Sequence, residues 1–288
     1  MASHKLEALC DWQERRLTPH LGVEAYLNIN KASADDFSRL LKLLGSHKLV
    51  LIRNQTVTPA SYLRFARGLG KPWNPDKIGV GTGSVSFAVD GISQISRLSN
   101  HGGQLGDRQL DWHIDFSYHP KNLCPGRILY AKTIPRANPS LTNWVNLAYG
   151  WRESLTAQQR KVLSQSLGEY DGGVPTKWGS IILPVLRKHP FNKQEWPCID
   201  HVFFQRFIGM PTKKNQKFKA EILEKLLSPV AMYSHEWKEG DIILFDNSGT
   251  IHNRARIEGT EERTLWQITL NYRWPLCSKK DSTLLQKK

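Results

Sequence analysis

Residues 111–120 read DWHIDFSYHP, so two histidines and two aspartates lie among several aromatic side chains. On a β-strand, His113 and Asp115 would point to the same side, because strand side chains alternate with a period of two. An imidazole nitrogen and a carboxylate oxygen could then bind one metal ion. A His-x-Asp tripeptide alone is a weak signal, since the same residues also suit a structural hydrogen-bonding cluster. The rest of the chain has to supply a third ligand.

A candidate third ligand follows in GDIILFDNSGTIHNRAR (240–256), which reads as a turn, an apolar strand, a polar turn and then His252. Two histidines and one carboxylate can form one face of a metal site and leave coordination positions open for other molecules. Arg263 comes shortly after His252, and a guanidinium can bind a carboxylate through two hydrogen bonds. These residues predict a metal site beside a carboxylate-binding site.

The segment TLWQITLNYR (264–273) directly follows this arginine and alternates in polarity. One face carries large apolar side chains, and the other carries mainly polar groups, among them Gln267. A strand that lines a pocket and an edge strand with one face in water both fit this pattern. The alternation predicts a strand and leaves its place in the sheet open.

Further segments follow one another in a recognisable order: KLVLIRNQTVTPASYLRFARGLG (48–70), WHID (112–115), GRILYAKTIPRANPSLTNW (126–144), His-Pro at 189–190 and GDIILFDN…HNRA…R (240–263). In order and spacing they resemble the taurine/alpha-ketoglutarate dioxygenase (TauD/TfdA-like) family of non-haem iron enzymes, over roughly residues 20–275. The resemblance implies a mainly β fold, a double-stranded β-helix or cupin-like jelly-roll core with helices packed around it.

The resemblance also implies a catalytic metal centre. Its iron(II) ligands would be His113, Asp115 and His252. Family members that halogenate have a small residue in place of the carboxylate ligand, so the presence of Asp115 disfavours halogenation.

A second set of positions corresponds to the family's contacts with 2-oxoglutarate. Thr142 would donate its hydroxyl to a co-substrate carboxylate, and Arg263 would form the salt bridge. Gln267 belongs to this set as well, at the position where the taurine enzyme has a second arginine. That difference argues against taurine or another sulfonate bound in the same manner. Ser140-Leu141 also replaces the Gly-Asp that usually precedes the threonine.

The function implied is an iron(II)- and 2-oxoglutarate-dependent dioxygenase. With O2 it would oxidise an unactivated C–H bond of a small, anionic or amino-acid-like substrate and release succinate and CO2. An alternative outcome of the same cofactor chemistry is desaturation, cyclisation or oxidative rearrangement in a biosynthetic pathway. An alternative from another class is a non-catalytic cupin-like protein or a basic nucleic-acid-binding protein. The combined ligand and arginine set favours the enzyme.

Substrate contacts are expected from the segment before the metal strand, which often covers the active site in this family. The candidates are Asn100, His101, Gln109 and Phe116, and the glycine-rich GVGTGS (79–84) is predicted to be a flexible loop.

Other polar residues receive a less specific prediction. His119 is expected at the surface or facing the substrate, and Asp111 as a bystander or a supporting group. Arg127, Lys132 and Arg273 are expected to be structural or exposed.

Composition restricts the partners. The chain has 288 residues, 40% hydrophobic and 10% aromatic, as in a folded protein, and a formal charge of +14. Because Lys and Arg are spread along the chain, a solvated cationic surface is favoured over nucleic acid as a partner. The resemblance adds a homo-oligomer, either a dimer or a tetramer.

The cysteines and the hydropathy of the chain indicate the cellular compartment. The four cysteines are far apart and predict reduced thiols in a cytoplasmic protein. No apolar run approaches the length of about 20 residues that a membrane helix needs.

The simplest organisation is a single dioxygenase domain over 1–275 with a flexible basic tail at 276–288. Helices are predicted where a capping residue precedes an apolar stripe, and strands where short apolar runs occur. The helices are 33–45, 58–70 and segments near 143–153, 157–167 and 216–227; the strands are 48–53, 126–134, 241–246 and 264–273.

Overall fold

The computed structural model describes residues 13–73, 87–119, 125–137, 139–172 and 179–274. The tail 276–288, the loop 79–84 and three of the cysteines (Cys10, Cys124 and Cys277) lie outside these residues. The described chain is mainly β, as the sequence predicts. Its strands are β1 (Glu14–Arg16), β2 (Val23–Ala25), β3 (Leu49–Ile52), β4 (Gly70–Pro72), β5 (Ala88–Val89), β6 (Ile92–Ser99), β7 (Gln104–Leu105), β8 (Leu110–His113), β9 (Gly126–Thr133), β10 (Leu141–Asn146), β11 (Leu167–Tyr170), β12 (Ile181–Pro184), β13 (Leu186–Lys188), β14 (Glu195–Pro197), β15 (Phe204–Phe207), β16 (Met232–Glu236), β17 (Ile242–Phe245), β18 (Thr250–Arg254) and β19 (Thr264–Tyr272).

Two sheets form the core of the fold. The larger has the order β1-β2-β3-β17-β9-β19-β6-β5, with β4 also paired to β19 and β7 to β6. The smaller has the order β16-β10-β18-β8. Because β19 lies between β9 and β6, its alternating pattern belongs to an interior strand. Two minor sheets, β12-β11-β15 and β13-β14, lie outside this pair.

Five α-helices accompany the sheets among the described residues: α1 (Ala34–His47), α2 (Pro59–Leu69), α3 (Leu147–Glu153), α4 (Ala157–Gln165) and α5 (Thr212–Leu226). Ser33 and Thr58 cap α1 and α2 through reciprocal hydrogen bonds, as predicted, and Gly70 ends α2.

The predicted end of α1 at Gly45 is wrong. The helix continues to His47 and ends at Lys48, which adopts the left-handed conformation with φ 66°. Gly45 serves another purpose, since a Cβ at this position would lie 2.5 Å from Phe191 Cδ1. The glycine therefore allows a close approach between the helix and this ring. The prediction of helix near 143–153 is also too long, because its first residues belong to β10.

Three buried clusters show how the layers stack. The first joins α1 and α2 to one face of the larger sheet, with Tyr62 and Ile268 among its members. The second joins the smaller sheet to α3, α4 and α5, and includes Ile251. The third lies between the two sheets and includes Trp144 and Phe245. Helices thus cover the outside of a two-sheet core, and the functional site opens between the sheets.

Among the described residues, no helix has both the length and the apolar character needed to cross a membrane.

Candidate active site

The three predicted metal ligands lie together at one end of the smaller sheet. His113 ends β8, and His252 lies directly opposite it on β18. His113 Nε2 lies 3.9 Å from Asp115 Oδ1, and His252 Nε2 lies 3.5 Å from Asp115 Oδ2. One donor atom of each residue lies within 4.8 Å of the others, a spacing that suits one metal ion.

Asp115 reaches this cluster by a different route from the one predicted. The strand ends at His113, so Asp115 lies in the following turn and does not share a strand face with the histidine. Asn247 Nδ2 donates a hydrogen bond of 2.7 Å to the Asp115 carbonyl oxygen and holds this turn against the segment between β17 and β18. The turn, rather than strand alternation, therefore brings the carboxylate to the histidines.

The surroundings hold both imidazoles in the form that binds a metal. His113 Nδ1 lies 2.7 Å from the Asp111 carbonyl oxygen, which selects the tautomer with a free Nε2. Burial, together with neighbouring His113, lowers the pKa of His252 to about 3, although Asp115 opposes this shift. At physiological pH His252 is therefore neutral, which is the form of imidazole that can bind a metal.

Arg127 is a site residue that the sequence interpretation missed. It is buried on β9, and its Nε donates a hydrogen bond of 2.9 Å to Asp115 Oδ2. Burial opposes ionisation of Asp115, but the positive charge of Arg127 and the two histidines lower the pKa of the carboxyl group below its usual value. One signal could have indicated Arg127: it has the same strand phase as Leu129, which faces the space between the sheets.

A carboxylate-binding arrangement lies further along the same space. Arg263 is 1% exposed, and its Nε and Nη2 have no hydrogen-bond partner among the described residues. Burial and the nearby Arg254 lower the pKa of Arg263 to about 9. A buried guanidinium without a partner is unfavourable, so the position fits an anionic ligand. Thr142 Oγ1 accepts a hydrogen bond of 2.9 Å from Trp237 Nε1, which leaves the hydroxyl hydrogen available.

One cavity of about 620 Å³ contains these groups. Both sheets line it, and so does the segment between β6 and β8. The site residues on its wall are His113, Asp115, Arg127, Thr142, His252, Arg254, Arg263 and Gln267.

The candidate substrate residues divide into two groups. Gln109 and Phe116 line the cavity, whereas Asn100 and His101 are not on its described wall. Asn100 Oδ1 instead accepts a hydrogen bond of 2.8 Å from the backbone N–H of Arg263, and His101 is exposed in a turn. His119 is buried, with its ring 5.8 Å from Trp73, which corrects the expectation of a surface position.

Three other polar residues that the sequence analysis considered lie at the rim of the cavity or away from its described wall. Asp111 Oδ2 lies 3.2 Å from His201 Nδ1 at the rim, while its carbonyl supports His113 as described above. Lys132 and Arg273 lie outside the described cavity wall.

The comparison with known families agrees with this geometry. Residues 13–269 match the family described as "Taurine catabolism dioxygenase TauD, TfdA family". This chain belongs to that family. The predicted enzyme class, an alpha-ketoglutarate-dependent dioxygenase, is thereby confirmed, and the family requires a metal ion.

Individual relatives are distant. An alkylsulfatase of Acinetobacter baylyi is 26% identical over 286 residues, which cover 90% of this chain and 84% of the relative. An alpha-ketoglutarate-dependent sulfate ester dioxygenase of Pseudomonas putida is 25% identical and covers 79% of this chain and 78% of its own length. The structure of a taurine dioxygenase from Burkholderia xenovorans superposes with a TM-score of 0.77 and 21% identity, covering 91% of this chain and 89% of that one. This superposition confirms the predicted jelly-roll fold.

Proposed function

We propose that this protein uses iron(II) and 2-oxoglutarate to oxidise a C–H bond of a small organic anion. The observation that carries the proposal is one cavity that combines three metal donors with a buried guanidinium lacking a partner. The bound iron supplies the oxidation, in which one oxygen atom of O2 enters succinate and the other enters the substrate, while 2-oxoglutarate loses CO2.

The set of two histidines and one aspartate supports iron(II) as the metal ion. Two imidazoles and one carboxylate on one side of an ion leave open positions, as non-haem iron oxygenases need. The contact between His113 and the Asp111 carbonyl orients the first ring. Arg127 orients the carboxylate of Asp115 by binding one of its oxygens. These supporting hydrogen bonds prepare the donors without further rearrangement.

The co-substrate contacts in this proposal use the Arg263 nitrogens that lack a hydrogen-bond partner and the available hydroxyl hydrogen of Thr142. Arg263 would bind the distal carboxylate of 2-oxoglutarate, and the Thr142 hydroxyl would donate to the same group. Gln267 on β19 lines the same cavity as Arg263 and would contribute a neutral amide. Asn100 holds the Arg263 backbone and so positions the guanidinium.

The test measures succinate formation by metal-free protein after addition of iron(II), 2-oxoglutarate and O2, with a panel of small organic acids. We expect turnover in the wild type and a loss of at least about a hundredfold for His113→Ala and Asp115→Ala, because each removes a ligand. His101→Ala is the matched control, since this exposed histidine lies outside the described cavity wall. Equal turnover with all four proteins, or none with the wild type, would contradict the proposal.

The metal is tested separately by adding manganese(II), zinc(II) or cobalt(II) in place of iron(II). Binding without turnover is expected for zinc(II), which has no accessible redox change. Full activity with zinc(II) would exclude the iron mechanism.

A further inference from the structure

We infer that the buried lysine Lys48 is a positioning residue for the candidate metal site and acts through the carboxylate of Asp246. This inference rests on the proposed function, because it concerns how the metal donors of that function are held in place. The contacts lead from Lys48 to Asp246, and from the neighbouring Asn247 to the turn that carries Asp115.

Lys48 is in an unusual place for a lysine. Its side chain is 1% exposed, and Asp246 Oδ2, at 3.2 Å, is the only acceptor of its Nζ among the residues that the structure describes. Burial lowers the pKa of the ammonium group, although Asp246 opposes this shift. Replacing a buried ion pair with apolar side chains of similar size is often neutral or stabilising, so stability alone does not account for this pair. What the pair supplies is a fixed geometry, because each buried charge has to remain in contact with the other.

Asp246 is held from three further directions. His189 Nε2 donates a hydrogen bond of 2.6 Å to Asp246 Oδ2. The tautomer follows from His189 Nδ1, which accepts two backbone N–H groups at 3.1 Å each. The backbone N–H of Ser248 donates to Asp246 Oδ1 at 2.9 Å, and the backbone N–H of Asp246 donates to the Lys48 carbonyl oxygen at 2.9 Å. The carboxylate and its backbone are thereby fixed relative to the end of α1.

The segment 246–249 between β17 and β18 connects this fixed carboxylate to the metal donors. Asn247 is fully buried, and its Nδ2 donates to the Asp115 carbonyl oxygen at 2.7 Å. The Thr250 hydroxyl, at the start of β18, donates to the Asp246 carbonyl oxygen at 2.7 Å and lies two residues before His252 in the chain. The segment therefore adjoins two of the three metal donors, and a displacement of Asp246 would reach both.

A second buried carboxylate at the other end of β17 provides an internal comparison. Asp241 is 1% exposed, accepts a hydrogen bond of 3.0 Å from Arg53 Nη1 and lies 3.0 Å from His235 Nε2. Within the described chain, its two sequence neighbours hydrogen-bond to β3, to β9 and to the segment after β3, none of which carries a metal donor. Both networks join a cation, a carboxylate and a histidine. Only the network of Asp246 adjoins the turn of the metal site.

The first experiment titrates metal-free protein with cobalt(II) in the absence of O2. Calorimetry measures the affinity, and the visible absorption spectrum of the bound ion reports the geometry of its ligands. We expect Lys48→Met to lower the affinity at least about tenfold and to change the spectrum, because the metal donors lose a supporting contact.

A double variant separates positioning from stability. Lys48→Met/Asp246→Asn removes both buried charges, so its free energy of unfolding in urea should lie closer to that of the wild type than the value for Lys48→Met alone. Its cobalt(II) affinity should nevertheless stay low, because the segment 246–249 is no longer fixed. Recovery of the affinity together with the stability would overturn the inference.

The matched control makes the same changes at the other end of β17. Arg53→Met and Arg53→Met/Asp241→Asn should bind cobalt(II) with an affinity within about twofold of wild type, because sites without shared contacts act independently. Their spectra should match that of the wild type. Equal losses of affinity at the two ends of the strand, or a wild-type affinity and spectrum for Lys48→Met, would overturn the inference.

Hydrogen exchange of the wild type gives a readout that does not depend on the folding of any variant. Because coupling between two parts of a protein is reciprocal, cobalt(II) should slow the exchange of the Asp246 and Ser248 N–H groups. The factor should be larger than at the Asp241 N–H, which donates to the Lys238 carbonyl oxygen at 3.0 Å. If the variants do not fold, this comparison decides the question, and equal factors at both ends of β17 would overturn the inference.

These results are distinguishable from those of the proposed function. Cobalt(II) affinity, the spectrum and hydrogen exchange need no turnover. The proposed function is decided by succinate formation in the wild type, whereas the role of Lys48 is decided by how its variants bind cobalt(II).

Discussion

Arg263 shows how one side chain can be unfavourable in the protein alone and useful with a ligand. Its guanidinium is almost fully buried, two of its nitrogens lack partners, and Arg254 adds a second positive charge nearby. Such an arrangement costs stability until an anion binds.

Replacing Arg263 should separate binding from stability. Arg263→Gln is expected to raise the KM for 2-oxoglutarate by about tenfold or more, because a buried ionic contact is lost. The free energy of unfolding of the ligand-free variant should not fall, since an unpaired buried charge has been removed. Urea unfolding and succinate kinetics check the two parts, with Arg256→Gln as the exposed control. A large loss of stability with unchanged KM would contradict the assignment.

Buried histidines away from the metal cluster predict a pH dependence of stability. His189 and His235 are buried beside Asp246 and Asp241, and burial lowers the pKa of both imidazoles in spite of these carboxylates. Below the ordinary histidine pKa of about 6.5, the unfolded chain therefore binds more protons than the folded chain. The free energy of unfolding should fall as pH decreases from 6.5 towards 4.5.

Urea unfolding of metal-free protein at several pH values measures this dependence. His189→Asn keeps a donor for Asp246 and should reduce the slope, whereas His101→Asn, at an exposed position, should leave it unchanged. A stability that is independent of pH in this window would refute the explanation.

At the scale of elements, the candidate metal site depends on one strand pair and one turn. The pairing of β8 with β18 brings His113 opposite His252, and the turn after β8 adds Asp115. Asn247 connects that turn to the segment preceding β18. The positions of the three donors are therefore coupled through the strand pairing and this side-chain hydrogen bond.

Removing the Asn247 amide should weaken the metal site. Asn247→Ala is expected to lower iron affinity by roughly ten- to a hundredfold, the usual effect of losing a supporting contact behind a ligand. Asn143→Ala, which removes an amide contact to Asn253 in the same sheet, is the matched control. Calorimetric titration with iron(II) under anaerobic conditions measures both, and equal affinities would show that the turn does not need this bond.

The start of β9 predicts a packing defect. A Cβ on Gly126 would lie 1.8 Å from Tyr272 Cε2, and the Tyr272 hydroxyl donates to the Arg127 carbonyl oxygen at 2.9 Å. Gly126→Ala should lower the free energy of unfolding by about 1–3 kcal/mol, as overpacking usually does. Gly126→Ala should lower the free energy of unfolding less in a Tyr272→Ala background than in the wild type, because the ring that it would clash with is gone. A double-mutant cycle in urea would detect this difference. Strict additivity would argue against the clash.

At the scale of the whole molecule, the cavity joins the two sheets. The candidate metal donors and Thr142 belong to the smaller sheet or its turn, whereas Gln267 lies on β19 of the larger sheet and Arg263 directly precedes that strand. A ligand that contacts both should stabilise the entire fold. At a concentration one hundred times its Kd, 2-oxoglutarate with iron(II) should add about 2.7 kcal/mol to the free energy of unfolding.

Metal removal tests this coupling. A chelator should abolish the stabilisation by 2-oxoglutarate, and Arg263→Gln should reduce it at the same ligand concentration. Thermal and urea unfolding with and without the chelator provide the measurement. Stabilisation by 2-oxoglutarate that persists without metal would indicate a binding site elsewhere.

The sequence by itself determined the family, the jelly-roll fold and the identities of the candidate ligands. Local patterns carry this information, since strand alternation, capping residues and spaced motifs depend on neighbouring residues. Thus α1 and α2 begin where Ser33 and Thr58 predict.

Only the tertiary structure decided which residues meet. Arg127 reaches Asp115 because β9 lies between β17 and β19 and because the turn after β8 folds towards it. The same long-range packing extends α1 past Gly45 and places Asn100 behind Arg263 instead of in the cavity. Contacts of this kind join residues far apart in the chain, and the local sequence pattern at either end does not specify the partner.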